Sequence, residues 1–191
     1  MKHTQTKKPC LLKNLKSSAN GRYKSLQGTY NPRIGGPYKG PNKKPIFRSK
    51  IELRLMTMLD NPNATNVVGW KYESRKIPYI DKSTVCESTS GIKTHPMRHY
   101  IIDFIVDVKN PAGGISTFWI ETKSINDIVV AKKYRSAKNA KVSNQIRAKN
   151  LSKWIAAANA AKAVGAKFIV ITENELEMLK NIIYGGTQTK A

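Results

Sequence analysis

Three side chains carry the chemistry that this sequence can do. Asp103 falls inside an apolar run, His99–Val108 (HYIIDFIVDV), and Glu121 and Lys123 stand two apart in Ser116–Lys123 (STFWIETK). Both runs are rich in β-branched and aromatic residues. Asn110-Pro111-Ala112-Gly113-Gly114 between them supplies a turn, so the two runs read as a hairpin. Alternation along a strand then sorts the faces. Ile102, Phe104, Val106 and Val108 share an apolar face with Phe118 and Ile120, while Asp103, Glu121 and Lys123 point the other way. Opposed side chains on antiparallel strands are only ~5 Å apart, so two carboxylates and an ammonium converge on one sheet face.

Hydrolysis of a phosphodiester needs a hard cation that polarises the phosphate and acidifies the attacking water. Magnesium takes one or two protein carboxylates and keeps several waters, which suits Asp103 and Glu121. The peptide oxygen of Thr122 is a further candidate ligand, and manganese is the alternative ion. Lys123 would orient the nucleophile or stabilise charge on the pentavalent phosphate. Glu52 lies on the preceding helix with Leu55, Met56 and Leu59 on its side, a candidate metal ligand or positioner of water. Against these readings, a D…ExK spacing also arises by chance, and a cross-strand Glu–Lys pair can be surface electrostatics alone. A Glu on an amphipathic helix is usually solvated. Scarcity tips the balance toward catalysis: the chain has only 12 acids, and two of them sit centrally in apolar strands.

The elements that must position these residues follow from periodicity. Ile51, Leu55, Met58 and Leu59 recur at helical spacing over Ser49–Leu59, and Asn61-Pro62 stops that helix. Val67–Tyr72 and Ser74–Ile77 are expected as short strands, the second ended by Pro78. After the hairpin comes a long Ala-rich helix, Val142–Val164, closed by Gly165. Lys167–Ile171 is a short buried strand, and Thr172-Glu173-Asn174-Glu175 is a capping box that opens a last helix, Asn174–Ile183. This order makes an α/β fold, a mixed sheet flanked by helices. The stretch Lys82–Pro96 separates Tyr79 from the first catalytic strand, and Trp70 and Trp154 read as core.

Charge says what such a site would act on. Lys and Arg number 34 against 12 Asp and Glu, a formal +22, the footprint of a polyanion binder. Thirteen Lys and Arg but no acid fall between Met1 and Ile51, interleaved with Gly, Pro and Tyr, so residues 1–46 read as an extended basic arm ahead of a domain spanning 47–191. A second acid-free stretch, Ile128–Thr172, includes Lys132, Lys133, Arg135, Lys138 and Lys153. Candidate DNA contacts are Arg22, Lys24, Arg33, Lys39, Lys43, Lys44 and Arg48 from the arm side, and Gln145, Arg147 and Lys149 from the long helix. Gln145 could meet a phosphate or the attacking water, or be an ordinary solvated helix position. Cys10 and Cys86 form no CxxC and read as free thiols in a reducing compartment, and His95 and His99, split by Pro96, do not make a zinc site. No apolar run reaches the ~18 residues of a membrane span, and no P-loop is present, so neither a membrane nor a nucleotide cofactor is expected.

Taken together, Glu52, Asp103-Phe104 and Glu121-Thr122-Lys123 resemble the PD-(D/E)xK nuclease superfamily, with Ile102 where a proline usually precedes the first acid. Gly28-Thr29-Tyr30-Asn31-Pro32, Pro37-Tyr38-Lys39-Gly40, Phe47-Arg48-Ser49 and Val68-Gly69-Trp70-Lys71-Tyr72-Glu73 are similar to the head-completion nucleases of tailed, T4-like bacteriophages. So are Asn144-Gln145, Lys153-Trp154 and Phe168–Glu173, and the resemblance spans residues 27–180. It implies a restriction-endonuclease-like α/β/α sandwich and divalent-metal-dependent cleavage of double-stranded DNA at ends or flaps. It also implies partners among phage head, portal or neck proteins, and a place in the host cytoplasm and the virion. The alternatives are a transposon-end type endonuclease, which shares the core but not the Tyr/Pro arm, and a non-catalytic DNA-binding protein of the phage neck.

Overall fold

The apolar runs assemble in chain order as follows. In the computed structural model, which describes residues 26–128 and 137–184, β1 (Gly28–Thr29) pairs antiparallel with β2 (Ile46–Phe47). Helix α1 (Lys50–Leu59) begins where Ser49 accepts a hydrogen bond from the Glu52 amide. Strands β3 (Val67–Tyr72) and β4 (Lys76–Ile80) follow, then a small hairpin, β5 (Cys86–Glu87) and β6 (Lys93–Thr94). Next come β7 (Met97–Ile101), β8 (Phe104–Lys109) and β9 (Ile115–Thr122), a short α2 (Ile125–Ile128) and the long α3 (Ala137–Ala163). The chain closes with β10 (Lys167–Ile171) and α4 (Glu175–Tyr184).

The central sheet has the order β10-β9-β8-β3, with β10 parallel to β9 and the other pairs antiparallel. Phe104 opposes Ile120 and Val106 opposes Phe118, the pairing that alternation requires. These residues pack with Trp70 and Tyr72 against α1 and α4. On the other face, Trp119, Tyr100, Ile77 and Ile102 pack against Ala157 and Ala161 of α3. Two apolar layers, one on each side of a mixed sheet, make an α/β/α sandwich. Alanine at 157 and 161 lets the helix backbone lie close to the sheet.

The expected hairpin differs in one respect that matters. His99–Val108 is not one strand but β7 and β8, interrupted at Ile102-Asp103. Opposite the break, Glu73 takes a left-handed φ of 45°. Its amide donates to the Asp103 carbonyl at 2.9 Å, and the Ile102 amide donates to the Arg75 carbonyl at 3.1 Å. The β3–β8 ladder therefore bends at this joint into the separate β4–β7 ladder. Ile102 swings into the α3-side core, whereas Phe104 stays in the other, so the two do not share the face that alternation assigns them.

Other boundaries also move. The strand expected to stop at Pro78 runs through it as β4, because Pro78 sits in a two-stranded ladder where a missing amide is tolerated. Helix α3 starts at Ala137, before the expected Val142. It ends as expected at Gly165, whose φ of +72° allows the Ala166 amide to reach the Ala161 carbonyl at 2.9 Å. The stretch 82–96 carries the β5–β6 hairpin.

The arm needs correction as well. Residues 26–46, expected to be extended, lie against the domain. Tyr38 packs on Trp70 with ring centroids 4.5 Å apart. The buried Asp60 accepts from the Arg33 amide at 2.5 Å and the Tyr30 hydroxyl at 3.2 Å. The buried helix end thus gains hydrogen-bond donors, and Tyr30 and Leu26 add to the core. Arg22, Lys24, Cys10, Lys132, Lys133 and Arg135 lie outside the described residues.

Candidate active site

The joint in the sheet positions the acids. Asp103 stands at the break between β7 and β8, where no ladder dictates its side chain, and β9 brings Glu121 up alongside it. The Asp103 Oδ2 accepts two hydrogen bonds from Thr122, from its amide and its hydroxyl, each 2.8 Å long. Glu121 is buried, 3 % exposed, beside Trp119 on the α3 face. Its Oε1 accepts from Lys123 Nζ at 2.9 Å, and its Oε2 is buried with no hydrogen-bond partner among the described residues. Lys123 follows the end of β9, its amide donating to the Ile171 carbonyl at 2.9 Å.

A buried carboxylate oxygen with no donor is costly unless something else satisfies it. The electrostatics agree. Burial, then the charge of Glu121, pushes the Asp103 carboxyl up to about 7, against the lowering effect of Thr122 and Lys123. Burial pulls the Lys123 ammonium down, but the charge and hydrogen bond of Glu121 and the charge of Asp103 overcome it, so its pKa is raised. Two acids that repel each other and an oxygen with an unused lone pair form a donor set that fits a divalent cation. Among the described residues no three Asp, Glu, His or Cys cluster as metal ligands, so the carboxylate contribution is this pair.

Glu52 has a different placement. Its Oε2 accepts from the Arg48 amide at 2.6 Å and the Tyr72 hydroxyl at 2.7 Å, and its Oε1 accepts from the Ser49 hydroxyl at 3.1 Å. It closes a capping box at the start of α1 and is not gathered with Asp103 and Glu121. Tyr72 stands between, its hydroxyl pKa raised by burial, by Glu52, and in part by Glu73 and Asp103.

Two neighbours of the site escaped the sequence reading as site residues. Tyr100 of β7 is buried, and its hydroxyl is raised by burial and then by Glu121 and Asp103. Lys153 of α3 holds its Nζ 5.6 Å from the Tyr100 ring centroid. Its pKa is lowered by burial, with Lys123 and Lys149 adding to that and Glu121 and Asp103 opposing. A second ammonium therefore faces the acids from the helix side. Its signal was available: Lys149 and Lys153 precede Ala157 and Ala161 at four-residue spacing, so they share the face that packs on the sheet.

The expected DNA contacts divide into committed and exposed groups. Arg48 is ion-paired with Glu73, and Arg33 is bound to Asp60 through its amide and its Nε. Lys39, Lys43, Lys44 and Gln145 are exposed, while Arg147 and Lys149 are half-buried on α3. Asp107 of β8 accepts from the Thr117 hydroxyl at 2.6 Å.

A bent mixed sheet between helices, with an acid at the bend and an ExK triplet on the next strand, defines a nuclease core. The chain belongs to the TnsA-like endonucleases: that family's model, described as "TnsA-like endonuclease N terminal", matches residues 64–173. This span holds Asp103, Glu121, Lys123 and Lys153, and begins after Glu52 and the packed segment. Among individual proteins, the chain is similar to the head completion nuclease of Enterobacteria phage T4, at 30% identity over 161 residues, 81% of this chain and 96% of the relative. No helix among the described residues is long and apolar enough to cross a membrane.

Proposed function

We propose that the protein is a divalent-metal-dependent DNA endonuclease or end-trimming nuclease that acts in completing the phage head. The observation that carries this reading is the Asp103–Glu121 pair, in which Glu121 is buried and its Oε2 has no donor among the described residues. Asp103, Glu121 and the peptide oxygen of Thr122 would hold magnesium or manganese, which when bound acidifies water and polarises the phosphate. Thr122 fixes the Asp103 carboxylate through its amide and hydroxyl. Lys123, kept protonated by Glu121, would stabilise charge on the phosphate, and Lys153 would add a cation from the helix side. Glu52 is then a positioning residue acting through Tyr72.

The exposed Lys39, Lys43 and Lys44, with the charge of +22, favour double-stranded DNA as substrate. Head completion, with head, portal or neck proteins as partners, rests on the T4 relative, whose likeness covers a longer stretch of this chain than the family model does.

The test is purified protein with circular, linear and flapped DNA in magnesium, manganese or EDTA. Cutting should require metal. Asp103→Asn and Lys123→Ala should fold yet cut slower by about 100-fold or more, the usual cost of one transition-state contact. Wild type that cuts no DNA form with either metal would replace this reading with a DNA-binding structural protein.

A further inference from the structure

Helix α3 carries a polar ridge that leads to the site and then disappears into the core. Lys141, Gln145, Lys149 and Lys153 recur every four residues, and the same row continues as the buried Ala157 and Ala161. Successive members of such a ridge are about 6 Å apart along the axis, comparable to the spacing of phosphates along an extended strand. The far end of the row lines an open groove of about 560 Å³, bounded by Lys141, Asn144, Gln145 and Ala148 on α3 and by Lys82 and Ser83 after β4.

The second wall is anchored. The Lys82 amide donates to Ser152 Oγ at 3.4 Å, and the Ser83 amide donates to Asp81 at 3.1 Å. Asp81 is buried, paired with Arg98 at 3.0 Å and within the field of Lys149, so its charge is already neutralised. Among the described residues the groove lining holds two ammonium groups and two amides, with no acid and no aromatic ring. Without aromatics it offers bases nothing to stack on, so its donors suit phosphates rather than base identity. The groove is shallow and open, and its row of donors at about 6 Å intervals follows one phosphate backbone.

We propose that this groove is the track for a single DNA strand leaving the candidate active site, with Lys153 and Lys149 nearest the acids and Gln145, Lys141 and Lys82 on phosphates farther out. The proposal rests on the nuclease reading for its direction, and it specifies the substrate: DNA with a frayed end or a flap binds better than a blunt duplex.

Its test needs no cutting. The full chain carrying Asp103→Asn is titrated in EDTA with labelled oligothymidylate, flapped duplex and blunt duplex, with and without Lys82→Glu/Lys141→Glu. Reversing the two charges should weaken binding of the single strand and the flap about tenfold or more. It should also flatten the salt dependence by about 1.4, the slope of two single-strand phosphate contacts. Blunt duplex should change far less, and Lys109→Glu/Lys162→Glu, an equal charge change elsewhere, should not reproduce the selectivity. Equal losses on all three DNAs, or no loss on the single strand, would overturn the track. Because these are metal-free binding constants, they are read separately from whether wild type cuts.

Discussion

Changing Glu121 to Gln isolates what the acidic pair is for. The substitution keeps shape and burial but removes one of two mutually repelling charges, and it gives the unpartnered Oε2 position a hydrogen-bond donor. A cation held by Asp103 and Glu121 binds the folded chain only, so it stabilises that state by RT ln(1 + [L]/Kd), about 1.4 kcal/mol at ten times Kd. For a chain of this length each kcal/mol moves the melting temperature by about 2–4 °C, so saturating magnesium or manganese should raise wild-type Tm by about 3–6 °C. Glu121→Gln should lose most of that rise while its metal-free Tm stays near or above wild type, since a buried like-charge contact is gone. The loss of the Lys123 ion pair opposes this gain, although the glutamine oxygen still accepts from Lys123 Nζ, so that ammonium keeps a partner. The assay is differential scanning fluorimetry over a metal series in the two proteins. An equal metal-induced shift in both would remove Glu121 from the ligand set, and no shift in wild type would remove the metal.

Three further outcomes follow from the same structure. The Asp103 carboxyl, raised to about 7, keeps a proton that the unfolded chain releases above its ordinary value. Its contribution to stability is therefore present at low pH and lost as pH rises toward and through 7, so metal-free Tm should fall between pH 5 and 8 by a component that Asp103→Asn abolishes, measured by a melting series in EDTA. Asp60→Ala, which strips the buried partner from Tyr30 and the Arg33 amide, should cost about 1–3 kcal/mol in urea unfolding, and a smaller loss would mean residues 26–46 are held by Tyr38 and Trp70 instead. Gly165→Ala has open space for its Cβ but a φ of +72°, so it should cost about 1–2 kcal/mol through backbone strain alone; an unchanged unfolding midpoint would show that the helix end relaxes.

The pattern of apolar residues was enough to place most elements. Val67–Tyr72 and Lys167–Ile171 are strands at those residues, and the hairpin register follows from alternation because a one-residue slip would turn Phe104, Val106, Phe118 and Ile120 away from the core. The candidate site was partly legible: the hairpin register sets Asp103 close to Glu121, although Asp103 itself stands at the break and not in a strand. The bend at Asp103 was not legible. Nothing local to HYIIDFIVDV demands a break, which depends on Glu73, thirty residues earlier, taking a left-handed conformation across the ladder.

What the sequence alone determined, then, was chemistry and layer: which residue types are present, which strand face they occupy, and that the whole attracts polyanions. The tertiary structure decided which of them meet. It gave Thr122 the task of holding Asp103, turned Glu52 to its helix cap and to Tyr72, and brought Lys153 over the site. It also folded residues 26–46 onto Trp70 and Asp60. The Glu52 cap and the face of Lys153 had local signals, but the hold of Thr122 on Asp103, the Tyr72 partner of Glu52 and the packing of residues 26–46 share one physical reason. Periodicity encodes the direction of a side chain relative to its own element, but the partner of a carboxylate, an ammonium or a loop is set by distant elements, through contacts whose sequence separation leaves no local pattern.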